Sequence, residues 1–136
     1  MKCAYILDSF AVLAYHYGEK GKDKVKELLL KAEKGDSKGY FHWVNMGEVY
    51  YILHREEGEG IANRAIALIK RWPISLVLPD EGNFLLAARI KAKYPISYAD
   101  AFVVATALTN SAKIVTGDPE FKRVERIAPI LWIREI

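Results

Sequence analysis

Glutamine is missing from this chain altogether, and cysteine occurs once, at Cys3. One thiol excludes an internal disulfide and any zinc cage built from cysteines. Cys3 lies on the first apolar run and reads as a core residue. The lack of Gln, with few Asn and Met, fits a chain that avoids thermolabile side chains. No apolar run is long enough to span a bilayer. The N-terminal apolar stretch is interrupted by Asp8 and carries no small-residue cleavage site, so it does not read as a signal peptide. The expected compartment is the cytoplasm. A glycine-rich phosphate loop of the form G-x-x-x-x-G-K-S/T is absent, which argues against a P-loop nucleotidase. No Ser-His-Asp order stands out. His16, His42 and His54 are scattered without metal-ligand spacing and are expected at surface or interface positions.

What is present is a mildly basic globular chain. Its 136 residues suit one compact domain, residues 1–136, with a proper core. Apolar residues make up 51% and charged residues 27%, the balance of a soluble domain. The net charge of +3 permits a nucleic-acid partner without demanding one.

Short apolar runs alternate with helical periodicity. Strands are expected at 4–7, 40–43, 74–78, 113–115 and 130–133, and helices at 10–17, 22–33, 45–57, 61–72, 80–93 and 98–110. Asn45, Asp80 and Ser97 are the expected N-caps of the third, fifth and sixth of these helices. The helix over 98–110 is apolar nearly all round and should be central and buried. Alternating strands and helices predict a three-layer α/β/α sandwich around a mostly parallel sheet of four to five strands.

Four carboxylates sit where strands give way to helices: Asp8, Glu48, Asp100 and Asp118. Each has a local explanation. Asp8 reads equally as a turn or cap residue. Glu48 lies three residues after Asn45 and Asp100 three after Ser97, as in capping boxes. Asp118 precedes Pro119, as an N-cap precedes proline at the first helical position. Taken together the capping explanation weakens. If the first and fourth strands are neighbours, all four acids face one crevice at the carboxyl edge of the sheet. Such a cluster repels itself, and a divalent cation with oxygen ligands, above all Mg²⁺, relieves the repulsion. The pattern points to metal-dependent phosphoryl chemistry. Ser9, next to Asp8, reads as a helix cap or a ligand contact. Tyr40, Trp43, Tyr50 and Tyr51 read as core or dimer packing, or as base-stacking groups. Arg55, Arg64, Lys70 and Arg71 read as a phosphate-facing stripe or as a solvated face.

The segments AYILDSFAVLA, VNMGEVYYIL, ISYADAFVVATAL and IVTGDPEF resemble, in order and across the chain, those of the PIN domain family, specifically its VapC-type toxins. The resemblance implies a Mg²⁺-dependent endoribonuclease, with Mn²⁺ as a substitute, that leaves 5′-phosphate and 3′-hydroxyl ends. It implies a homodimer paired with a small antitoxin protein. It makes Asp8, Glu48, Asp100 and Asp118 the acidic quartet, and Thr116 the polar residue beside the last acid. Two other classes compete. One is another Mg²⁺-dependent phosphotransfer protein. The run Asp8-Ser9-Phe10 lacks the second aspartate of a phosphatase, and Lys113 stands at the start of its strand where a receiver domain has its lysine after one. The other is a non-catalytic RNA- or protein-binding module on the same fold, against which the intact quartet argues.

Overall fold

The computed structural model describes residues 3–135. Five strands, β1 (Cys3–Leu7), β2 (Ser37–His42), β3 (Ile74–Val77), β4 (Lys113–Thr116) and β5 (Ile130–Trp132), form one sheet in the order β3-β2-β1-β4-β5. Every pairing is parallel. Six helices connect them: α1 (Ser9–Tyr17), α2 (Lys22–Glu33), α3 (Trp43–Glu57), α4 (Glu59–Ile69), α5 (Glu81–Lys93) and α6 (Tyr98–Asn110). A 3₁₀ turn, Pro119–Val124, precedes β5. Among the described residues no helix is long and apolar enough to cross a membrane.

Parallel strands need crossovers, and crossovers cover both faces of a sheet. Alternate side chains of β1 show the result. Tyr5 and Leu7 enter a core with α1, α2, α3 and α4, whereas Ile6 enters one with α5 and α6. Residues 100–107 of α6 are all buried, as expected for its apolar circumference. The chain leaves β1 toward β2 on one side and later returns to β4 on the other. The switch point therefore falls between β1 and β4, where crevices form at the carboxyl ends of strands.

Three local expectations are corrected. β2 ends at His42, so Trp43 opens α3 and the N-cap is His42, whose Nδ1 accepts the Val44 N–H at 3.0 Å. Asn45 lies inside the first turn and is fully buried. His42 is itself buried, not at a surface. Accepting at Nδ1 leaves its proton on Nε2, which donates to Asn83 Oδ1 at 2.8 Å. Burial lowers the His42 pKa, opposed by the Asn83 bond. Cys3 is exposed at the start of its strand instead of joining the core. Asp80 and Ser97 cap α5 and α6 as expected.

Candidate active site

Asp8 follows β1 and caps α1, its Oδ1 accepting the Ala11 N–H at 2.8 Å. Its Oδ2 accepts the hydroxyl of Thr116, the last residue of the neighbouring strand β4. Thr116 Oγ1 in turn accepts the Asp118 N–H at 3.0 Å. One hydroxyl thus ties the first and last acids across the switch point. Asp118 caps the 3₁₀ turn, its Oδ1 accepting the Glu120 N–H at 2.9 Å. Asp100 sits in the first turn of α6, where its N–H donates to the Ser97 hydroxyl at 3.1 Å.

Carboxylate oxygens of Asp100, Asp118 and Glu120 lie within 4.8 Å of one another. Sequence reasoning did not select Glu120. The signal was its place two residues after Asp118 in TGDPEF, where a tight turn brings both side chains to one side. Glu48 stands on α3, and its Oε1 accepts the Ser9 hydroxyl at 2.7 Å and the Asn45 amide at 2.9 Å. Asn45 and Glu48 are three residues apart on one helical face, so the apparent capping box is a side-chain bond that fixes Glu48. Ser9 and Thr116 each hold a carboxylate.

Asp8 and Asp100 expose only 2% and 8% of their surface. Burial drives the Asp8 carboxyl up to about 8, against the lowering bonds from Thr116 and Ala11, with smaller upward pushes from Asp100 and Asp118. Burial likewise raises Asp100 to about 7, followed by repulsion from Asp118 and Glu48. Asp8 and Glu48 therefore belong to the electrostatic field of the cluster. Among the described residues none of the quartet forms a salt bridge. Buried, mutually repelling carboxylates without a cationic partner, offering oxygen donors alone, fit a hard divalent cation. The expected stripe of Arg55, Arg64, Lys70 and Arg71 is exposed on α3, on α4 and just past it. There Arg55 stacks on Tyr51 and Lys70 on Trp43.

An all-parallel sheet with acids gathered at its switch point defines a class of α/β proteins that bind at the carboxyl edge. The chain belongs to the PIN domain family, whose model matches residues 5–127. No curated protein sequence matches it. Its structural neighbours include VapBC-1 from nontypeable Haemophilus influenzae, at 18% identity over 97% of this chain and 99% of that one, with a TM-score of 0.72. VapBC2 from Rickettsia felis, bound to a DNA fragment from its promoter, is 14% identical over 93% and 96% of the two chains, with a TM-score of 0.71. Mycobacterium tuberculosis VapC20, described as a Sarcin-Ricin loop cleaving toxin, is 16% identical over 89% and 94%, with a TM-score of 0.69.

Proposed function

We propose that residues 1–136 form a single nuclease domain that hydrolyses RNA phosphodiester bonds with Mg²⁺, or Mn²⁺ in its place, as the toxin of a type II toxin–antitoxin pair in the cytoplasm. One observation carries this reading: Asp100, Asp118 and Glu120 converge within 4.8 Å at the switch point of a PIN fold. The toxin role draws support from neighbours solved as VapBC pairs, and the RNA substrate from the cleaving activity named for VapC20.

Asp8, Asp100, Asp118 and Glu48, the acids read from the sequence, would hold the cation together with Glu120. When bound, it supplies a water of lowered pKa and offsets charge on the phosphate. The chain's own groups do the rest. Thr116 fixes the orientation of Asp8 and, through the Asp118 N–H, of the following loop. Ser9 and Asn45 hold Glu48 toward the cluster. The test is cleavage of a single-stranded RNA with Mg²⁺ and with EDTA. Cleavage only with the metal is the expected outcome. Metal and RNA binding without cleavage would make the chain a non-catalytic module.

Two surfaces suit the two protein partners. Val12, Tyr15, Val49, Leu53, Leu68 and Trp72 line an apolar groove of about 320 Å³ between α1, α3 and α4. It fits an apolar segment of the antitoxin, as amphipathic segments fit grooves elsewhere. Leu78, Phe84, Leu85, Tyr98 and Leu108 are exposed large apolar side chains on or beside α5 and α6, more than α3 and α4 display. That face suits a second copy of the chain. Light scattering should report a homodimer for wild type and a monomer for Leu85→Asp. A monomeric wild type at high concentration counts against the dimer.

A further inference from the structure

A cationic groove opens beside the acids. It encloses about 510 Å³ and is lined by Lys24, Lys122, Trp132, Ile133, Arg134 and Glu135, three cations against one carboxylate. Lys24 comes from the first turn of α2, Lys122 from the 3₁₀ turn that Asp118 caps, Trp132 from the end of β5 and the rest from the residues that follow it.

Arg134 joins this groove to the acidic cluster. Its Nε donates to the carbonyl of Gly117 at 3.0 Å, the residue before Asp118. Its guanidinium lies 4.5 Å from the centroid of the Phe10 ring, the residue after Ser9. Among the described residues it forms no salt bridge. A guanidinium fixed through Nε and through its face still has its Nη groups to present as a fork, the geometry that matches a phosphate. Such a group answers an electrostatic difficulty. The site's carboxylates repel an anionic strand, so a cation held beside them favours its approach.

We propose that this groove grips the phosphate backbone of a single-stranded RNA flanking the scissile position. Arg134 is a positioning residue that holds a phosphate next to the carboxylates. Lys24 and Lys122 neutralise phosphates further along, and the half-buried Trp132 borders the strand. This assignment rests on the ribonuclease reading.

Fluorescence anisotropy with a labelled single-stranded oligoribonucleotide of about 12 nucleotides, titrated with salt in EDTA, tests it. Arg134→Gln is expected to weaken binding about fivefold or more and to flatten the slope of log K against log salt by about 0.7, one phosphate contact on a single strand. Lys24→Gln with Lys122→Gln should flatten it by about 1.4 and leaves Arg134 and Phe10 untouched. Arg134→Lys should restore the slope and only part of the affinity. A purely structural role for Arg134 would lower the melting temperature and leave the slope unchanged, overturning the assignment. So would substitutions that spare RNA binding but weaken association with the antitoxin, which would make the groove a protein-docking surface. If wild type cleaves RNA with Mg²⁺ while these substitutions change neither affinity nor slope, the groove assignment falls and the nuclease reading stands. If wild type neither binds nor cleaves RNA, both fall.

Discussion

Asp100→Asn is expected to melt at a higher temperature than wild type in EDTA while losing RNA cleavage. Asp100 is 8% exposed, and its carboxyl titrates near 7 in the fold against 3.8 as a free side chain. The folded state therefore holds its proton more tightly than the unfolded chain does. Stability falls as pH rises through about 4 and continues to fall until about 7, where the penalty is complete. Each tenfold change in proton affinity corresponds to about 1.4 kcal/mol, and an amide recovers part of the total, about 1–3 kcal/mol or several degrees of melting temperature. The advantage of the amide over the carboxylate should be larger at pH 8 than at pH 5. Mg²⁺ at a hundred times its Kd should stabilise wild type by about 2.7 kcal/mol and the variant far less. Cleavage should fall at least about 100-fold, since even groups that only support metal ligands cost 10–100-fold. A helix-capping role alone predicts the reverse: a loss of about 1 kcal/mol or less and an unchanged response to Mg²⁺. Thermal melts at both pH values, with and without Mg²⁺, alongside an RNA cleavage assay, separate the two. An Asp100→Asn protein that cleaves at the wild-type rate would sink the mechanism.

The capping and site explanations of the acids prove compatible. Asp8 and Asp118 cap their helices, and they also face the switch point. A strand-to-helix junction needs an acceptor for its free N–H groups, and in a parallel sheet such junctions share one edge. That is why the architecture and the position of the four acids were legible from periodicity and junctions. What escaped depended on contacts between segments. The end of β2 turns on His42, whose ring finds Asn83 on α5 and so remains buried, a partnership that a separation of 41 positions conceals. Asn45 looked like a cap because it precedes a helical run. Its amide instead holds Glu48, and only the true start of α3 reveals this. Glu120 was hidden by the turn, since Asp118 caps the 3₁₀ helix and its carboxylate accepts the Glu120 N–H, which draws the two residues together. Arg134 was beyond reach for a related reason. Its partners, Phe10 and Gly117, come from opposite ends of the chain's path and meet only through the adjacency of β1 and β4.

That meeting point makes Gly117→Ala the second large expected effect. A Cβ at Gly117 would lie 2.4 Å from Phe10 Cε1, 3.0 Å from its Cδ1 and 3.2 Å from Arg134 Nε. Real Cβ atoms do not approach so closely, so the glycine is required by space and not by its backbone angles. Swinging the half-buried Phe10 ring aside would break two contacts. Its ring packs against the core beneath α1 and carries the Arg134 guanidinium. The backbone on the other side is equally held. Thr116 is fully buried, paired with β5 and bonded to Asp8. Relief through a shift of the Gly117–Asp118 backbone moves one of the cluster's carboxylates. Overpacking of this kind costs about 1–3 kcal/mol. Misplacing a reacting group by about 1 Å costs about 100-fold in rate. Gly117→Ala should therefore lower the melting temperature by several degrees and cleavage by about two orders of magnitude, leaving the other carboxylates in place. The cause can be isolated with a double-mutant cycle. In a Phe10→Ala background the ring clash is gone and only the 3.2 Å approach to Arg134 Nε remains, so adding Gly117→Ala should cost under about 0.5 kcal/mol of stability, the coupling appearing as the difference. If Gly117→Ala costs as much in the Phe10→Ala background as beside the intact Phe10 ring, the close approach of ring and glycine is not what holds Asp118 in place.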